Sequence, residues 1–177
     1  MERYGISVQV KNVPELDPQF MPILKYNQAF LADAKKPISI AVERADGQMS
    51  THHTFIHGTE EMYEADCYYI ERLVKTILWW KGGFKVYVAG DEKIYEYLTK
   101  VYNAGGQQEF DWDYMANVFE NPFQVVLVDK VPEAKDSPKK VGGHLDGCRI
   151  GFDAGGSDRK VSAVIDGETV YSEEVVW

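Results

Sequence analysis

The sequence is poor in cysteine and in positive charge, and it has no long apolar run. Its two cysteines, Cys67 and Cys148, are far apart and belong to no CxxC pair, so we expect two separate buried thiols in a reducing compartment. The 28 acidic residues outnumber the 19 lysines and arginines, and the net charge of -9 argues against a nucleic-acid partner. No signal peptide or membrane-spanning stretch is recognisable. These absences predict a cytoplasmic protein without a membrane partner.

The chain does contain enough apolar material for a well-packed core. Hydrophobic residues make up 45% and aromatic residues 13% of its 177 residues, so disorder is not expected. This length fits one domain, or one domain followed by part of another.

The spacing of apolar residues alternates between strand and helix periods. Asp17-Pro18 has the form of a helix start, Asp46-Gly47 that of a hairpin turn, and Asp91 that of a helix cap. The pattern predicts strands at 4–10, 38–42, 49–56, 84–89 and 123–128, and helices at 23–31, 66–80, 94–101 and 111–120.

This order of elements predicts an α/β fold with a mixed sheet. It resembles the ribonuclease-H-like lobe from which actin-like kinases are built, with a helix inserted after the first strand. Periodicity is then lost over 130–147, where two prolines and a Gly-Gly pair lie among mixed charges. We therefore predict an accessory α/β domain at 1–129, a linker at 130–147 and a second unit at 148–177.

The second unit carries the most informative motif of the sequence. It contains a strand, a tight Asp-Ala-Gly-Gly-Ser turn at 153–157, a second strand, and an Asp166-Gly167 hairpin turn before a third strand. Paired glycines leave backbone N–H groups unobstructed. A carboxylate before them can hold a metal ion, and a hydroxyl after them can donate to a phosphate oxygen. These groups are suited to binding the terminal phosphates of a nucleotide.

Residues 149–177 resemble the first phosphate motif of the actin-like kinase superfamily, and within it the ROK family of bacterial sugar kinases and sugar-responsive repressors. That family opens with the pattern Asp-x-Gly-Gly-Thr-x-x-Lys-x-x-x-x-x-Asp. Its places are occupied here by Asp153, Gly155, Gly156, Ser157, Lys160 and Asp166. Ser157 keeps the hydroxyl of the usual threonine, whereas Asp158 adds a negative charge where lysine or asparagine is common.

The resemblance implies a glucokinase-like enzyme that transfers phosphate from ATP to a sugar hydroxyl. Asp153 would order magnesium, and Gly155, Gly156, Ser157 and Lys160 would bind the nucleotide. The family's catalytic aspartate and sugar-binding segment would lie beyond this hairpin, and no residue here matches that aspartate. We therefore expect the chain to be a catalytically inactive N-terminal part of such a kinase.

Two other functions fit the same residues. In the first, the protein is a non-enzymatic module that binds a sugar signal or a partner, and the hairpin is only structural. In the second, it is part of an actin-like ATPase that activates radical enzymes, since those proteins share the Asp-x-Gly-Gly turn. The apolar strands of the second unit need a cover, which either the sheet of the accessory domain or a second copy of the chain can supply, and we expect a homodimer.

The remaining candidates have simpler structural interpretations. His52, His53 and His57 form a cluster, but histidines four apart on a strand lie about 13 Å apart, too far to share a metal ion. The middle of the chain is rich in aromatic residues that could stack on a sugar, although core and interface packing explains them more simply. The acidic residues Glu60, Glu61, Glu64, Asp66 and Glu71 are expected on a solvated helix face.

Overall fold

The computed structural model describes residues 1–138 and 141–177, and confirms an α/β fold with a mixed sheet. The chain divides into two compact units, Met1–Ser137 and Pro138–Trp177, which are described separately below. Within the described residues, no helix has the length and apolar character needed to cross a membrane.

The first unit contains six strands and four α-helices among the described residues. The strands are β1 (Glu2–Arg3), β2 (Ile6–Ser7), β3 (Lys36–Arg44), β4 (Gln48–Ile56), β5 (Lys85–Ala89) and β6 (Gln124–Leu127). The helices are α1 (Ile23–Asp33), α2 (Tyr63–Lys81), α3 (Glu92–Val101) and α4 (Glu109–Phe119).

The main sheet has the strand order β4-β3-β5-β6. Strand β3 pairs antiparallel with both β4 and β5, whereas β5 and β6 are parallel and joined by α3 and α4. The predicted turn at Asp46-Gly47 joins β3 and β4, and both of its residues have positive φ (60° and 63°). The predicted cap is confirmed, since the Asp91 carboxylate accepts a hydrogen bond from the Ile94 N–H at 2.9 Å.

The helices cover one face of this sheet. Side chains from α1, α2, α3 and α4 form one buried cluster with Ile40 and Val42 of β3 and with Val86 and Val88 of β5. The alternate residues of the same strands, among them Ala41 and Ala89, belong to a second cluster with Met49 and Val131. The two clusters follow from the two-residue period of a strand, which sends successive side chains to opposite faces.

Residues 131–136, which fall inside the predicted linker, pack against β3 and β4. Val131 is buried, and Met49 and Lys135 exchange two backbone hydrogen bonds of 2.9 and 3.0 Å. Asp136 also forms an ion pair with Arg44. The segment therefore serves as the cover of the second cluster.

Two predictions at the N-terminus were wrong. The predicted strand over 4–10 is a short hairpin, in which Tyr4 and Gly5 turn between β1 and β2 with φ of 51° and 77°. The predicted helix start at Asp17-Pro18 is a turn, in which the Phe20 N–H donates to the Asp17 carbonyl, and α1 begins only after Pro22. The Asp-Pro pair did not discriminate between the two structures. Proline is favoured in turns, and it is also tolerated at a helix start because its missing N–H is not needed there.

The second unit is a three-stranded antiparallel sheet of β7 (Cys148–Ala154), β8 (Asp158–Ile165) and β9 (Glu168–Val176), in the order β7-β8-β9. This confirms the three predicted strands. One face is apolar, because Ile150 pairs with Ala163 and Phe152 pairs with Val161. Ile150 and Phe152 are 80% and 67% exposed, so the apolar face has no covering layer within this unit.

A chain shortened to residues 1–137 should unfold in one cooperative transition, because it keeps both buried clusters. A chain ending at Asp129 should be about 2–4 kcal/mol less stable, since it loses the burial of Val131 and the Met49–Lys135 hydrogen bonds. Urea unfolding followed by near-ultraviolet circular dichroism measures both. Equal midpoints for the two chains would show that residues 131–136 contribute nothing to the core.

The apolar face of β7–β9 should make the full chain a dimer, because two such faces can pack against one another as a sandwich. Light scattering over a tenfold concentration range should give a dimer for the full chain and a monomer for 1–137. Ile150→Asp should abolish dimerisation, whereas Ser172→Asp on the opposite face should not. A full chain that remains monomeric at every concentration contradicts this prediction.

Candidate phosphate-binding hairpin

The glycine loop lies between β7 and β8 and consists of Gly155, Gly156 and Ser157. The Gly155 N–H donates to the Asp158 carbonyl at 2.8 Å, which closes the turn. A side chain at Gly155 would begin 3.0 Å from Asp158 Oδ1 and 3.1 Å from its carbonyl oxygen. Glycine is therefore suited to this position because the chain returns so closely on itself.

The rest of the loop presents donors without partners. No heavy atom lies within 4 Å of a Cβ built at Gly156, so its backbone can be approached from outside. Among the described residues, neither the N–H groups of Gly156 and Ser157 nor the Ser157 hydroxyl makes a hydrogen bond. Three donors on consecutive residues of an exposed turn can bind an anion together.

Asp153 and Lys160 lie directly opposite one another on β7 and β8, and Glu174 of β9 continues the same row. The Lys160 ammonium lies 3.5 Å from an Asp158 carboxylate oxygen and 3.5 Å from a Glu174 oxygen. The side chain of Lys160 is therefore shared between two acids beside the loop. Near the loop, the carboxylates of Asp153, Asp158 and Glu174 outnumber the single ammonium of Lys160, which favours a cation over a free phosphate.

Three further residues share this face and were not singled out from the sequence. Gly151, Ser162 and Ser172 occupy one row across the sheet and line a hollow of about 300 Å³ beside Asp153 and Lys160. Gly151 leaves this space open, because a Cβ there would lie 3.0 Å from the Ser162 hydroxyl oxygen. The sequence did contain a signal for Ser162. It lies two residues after Lys160 on β8, and residues two apart on a strand share a face.

The Asp166-Gly167 turn has a structural role. Both residues have positive φ (50° and 88°), as the favoured two-residue hairpin turn requires. The Asp166 carboxylate also accepts a 2.7 Å hydrogen bond from the Gly147 N–H. The predicted turn is confirmed. Its positive φ angles explain why aspartate and glycine, which tolerate this conformation, occupy these two positions.

Asp153 fits a shared metal site better than a site made by protein alone. It is exposed, and no group of three or more potential ligands occurs in the part of the chain that the structure describes. Magnesium in nucleotide sites is commonly held by one or two carboxylates together with substrate phosphates. A single carboxylate beside unpartnered hydrogen-bond donors that can bind a phosphate is compatible with that arrangement.

The histidines have separate partners. His53 Nδ1 lies 2.8 Å from the Ser39 hydroxyl, and His57 Nε2 lies 3.1 Å from the Phe30 carbonyl. Burial, followed by the nearby charge of His53, lowers the pKa of His52. These contacts favour cross-strand and packing roles for the cluster.

The acidic residues of α2 do not form one solvated face, because Asp66 and Glu71 are 2% and 3% exposed. The Asp66 carboxylate accepts hydrogen bonds of 2.8 Å from the His57 and Gly58 N–H groups. Burial nevertheless raises the pKa of Asp66. Through these two hydrogen bonds Asp66 stabilises the loop between β4 and α2.

The aromatic residues divide into core and surface. Tyr69 is buried, whereas Trp79 and Trp80 are 50% and 76% exposed. The Trp79 ring is nearly parallel to those of Phe110 and Tyr114, at centroid distances of 6.3 and 5.3 Å.

No protein-family model matches the chain, and no curated protein is significantly similar to it. The resemblance to the ROK family therefore depends on the motif residues of the second unit alone.

The two cysteines differ in exposure, and the expectation that both are buried was wrong for Cys148. Cys148 is exposed because it begins β7 in a sheet without a covering layer, whereas Cys67 faces the core from α2. Burial raises the pKa of the Cys67 thiol to about 11, although a hydrogen bond with Tyr63 opposes this shift.

Iodoacetamide at pH 8 should therefore label Cys148 and spare Cys67 in the folded protein. A thiol of pKa about 11 is ionised in about one molecule in a thousand at this pH, and Cys67 is also shielded. Mass spectrometry should find one label on the native chain, none on native Cys148→Ser, and two on the unfolded chain. Equal labelling rates for the two native thiols would contradict this assignment.

Proposed function

We propose that residues 148–177 form the phosphate-binding opening of an actin-like, ROK-type sugar-kinase lobe. The observation that carries this proposal is the loop of Gly156 and Ser157, whose three donors have no partner among the described residues. Asp153 lies at the end of the strand that leads into this loop. The complete protein would be a cytoplasmic enzyme that phosphorylates a sugar hydroxyl with ATP.

The strand arrangement supports the same proposal. The resemblance implies consecutive antiparallel strands on both sides of the loop, and β7, β8 and β9 have that order. We also propose that the first unit is related to the ribonuclease-H-like lobe. Its antiparallel β3–β4 hairpin followed by the parallel pair β5–β6 supports this relation, whereas its single layer of helices differs from a sheet covered on both faces.

Each group of the hairpin has a role in nucleotide binding. The Gly156 and Ser157 N–H groups and the Ser157 hydroxyl would donate to phosphate oxygens, and Asp153 would hold magnesium directly or through water. Magnesium bound there would supply the positive charge that offsets both the phosphates and the carboxylates of Asp158 and Glu174. Lys160 orients these two acids through its ion pairs. The base that would deprotonate the sugar has no match in this chain.

A structural role for the hairpin is the second candidate. It is favoured by the ion pairs of Lys160, whose ammonium is already shared by Asp158 and Glu174. In that case the first unit would carry the binding function, and the glycines would only form the turn.

Titration of the isotopically labelled chain with Mg-ATP distinguishes the two candidates. We expect the amide signals of Gly155, Gly156 and Ser157 to shift with a dissociation constant weaker than about 0.1 mM, because the other contacts of a nucleotide site are missing. Asp153→Asn should reduce the magnesium-dependent part of the shift. Two-dimensional amide spectra give both results.

Gly167, in the other hairpin turn of the same sheet, is the internal control and should not shift. Unchanged loop signals at 10 mM Mg-ATP would leave only the structural role. Micromolar affinity would show that this chain already contains a complete nucleotide site.

A further inference from the structure

A groove of about 770 Å³ lies between α2, α3 and the β1–β2 hairpin of the first unit. Its volume is in the range of about 300–1,000 Å³ that is typical of small-molecule sites. It involves neither the glycine loop nor any residue of the second unit. Its lining combines aromatic rings with charged side chains of both signs.

Four tyrosines contribute to the groove, namely Tyr4, Tyr63, Tyr68 and Tyr97. The ring of Tyr68 is fixed from several sides. Arg3 donates to its hydroxyl at 2.8 Å, and the Arg72 guanidinium lies 5.3 Å from its ring centroid. The buried ring of Tyr26 packs against it edge-on at 5.1 Å. The aromatic surface is therefore held in place before any ligand binds, which reduces the entropic cost of binding.

Glu71 is a buried carboxylate that lines the groove without a cationic partner. Its two oxygens accept hydrogen bonds from the Tyr97 hydroxyl and from the Gln108 amide, at 2.6 Å for the latter. No lysine or arginine forms an ion pair with it among the described residues. Each carboxylate oxygen keeps further lone-pair capacity, which a ligand hydroxyl can use.

The charged side chains along the groove have a net charge of zero, but they do not form ion pairs with one another. Three cations and three acids line it: Arg3, Arg72 and Lys100, and Glu64, Glu71 and Glu96. Within the described part of the chain, none of the six forms an ion pair, whereas Lys36, Arg44 and Lys75 each pair with an aspartate. The groove therefore offers donors and acceptors without a net preference for an anion or a cation.

We propose that this groove is a binding site for a neutral mono- or disaccharide. A sugar hydroxyl both donates and accepts hydrogen bonds, so it can use the guanidinium and carboxylate groups together. The apolar C–H faces of a pyranose ring pack on aromatic rings, which the four tyrosines of the groove supply. This site is separate from the hairpin, and the proposal goes beyond the function proposed for residues 148–177.

The test is saturation-transfer NMR and calorimetry on the full chain with six neutral sugars. The probes are glucose, mannose, galactose, N-acetylglucosamine, maltose and cellobiose, each up to 50 mM. At least one should bind saturably with a dissociation constant of about 1 mM or lower. Tyr68→Ala and Glu71→Gln should weaken that binding at least tenfold. Arg72→Ala, at an exposed position that tolerates substitution, should weaken it as well.

Trp79→Ala is the matched control, because Trp79 is an exposed aromatic residue of the same helix outside the groove. It should leave sugar binding unchanged. Glycine and inorganic phosphate, as zwitterion and anion, should not bind. The proposal is overturned by the absence of saturable binding for all six sugars, by binding that the groove variants leave unchanged, or by preferential binding of either charged probe.

Discussion

Strand β3 is hydrogen-bonded along both edges, to β4 on one side and to β5 on the other, and the first unit depends on this pairing. Ile40 and Val42 are completely buried on the helical face, and Ala41 between them is completely buried on the opposite face. Over residues 39–43 both edges of β3 are paired, so the backbone groups of this stretch are satisfied within the sheet. The position of β3 therefore requires a cover on each side.

The two covers differ in kind, and this difference determines where a ligand can bind. One face of the sheet has the helices, and the other has only the segment 131–136. The groove lies between α2, α3 and the β1–β2 hairpin. Tyr63, Tyr68 and Tyr97 are placed in it by helices α2 and α3, which pack on the core, whereas Tyr4 comes from the hairpin turn.

The three buried acids of the helical layer show what makes Glu71 different. Asp66 is satisfied by two backbone N–H groups, and Asp111 forms a 2.8 Å ion pair with Lys75 and accepts from the Trp79 indole. Both therefore have a structural explanation. Glu71, like Asp66, has only neutral donors, the Tyr97 hydroxyl and the Gln108 amide, but it also lines the groove. Its remaining lone pairs are therefore the ones that the proposed ligand would use.

Local signals made the elements and turns predictable from the sequence. Asp46-Gly47, Asp166-Gly167 and the Asp91 cap each depend on a few neighbouring residues, and the structure confirms all three. The β1–β2 hairpin was missed because its turn uses Tyr4 at positive φ, a conformation that tyrosine rarely adopts. The role of residues 131–136 was missed because their proline-containing composition resembles a linker, whereas burial depends on distant Met49.

The groove could not be predicted for the same reason, since it joins α2, α3 and the β1–β2 hairpin from distant parts of the sequence. The spacing of α2 did carry one unused signal. Glu71 follows Cys67 by four residues and precedes Val74 by three, which places it on the buried side of the helix. An acid at such a position contradicts a fully solvated acidic face. It would have identified Glu71 as a residue that needs an explanation.

The electrostatics of the hairpin explain why the proposed phosphate site would be weak with its donors alone. Lys160 lies opposite Asp153, close to the loop, and its ammonium is shared by Asp158 and Glu174. An incoming phosphate would therefore meet three carboxylates that share one ammonium, and exposed interactions of this kind are screened by water and salt. Tight binding requires additional positive charge and exclusion of water, which an exposed three-stranded sheet does not provide. In the proposed site the free N–H groups would direct a phosphate to the loop, and its affinity would come from a metal ion and a second covering layer.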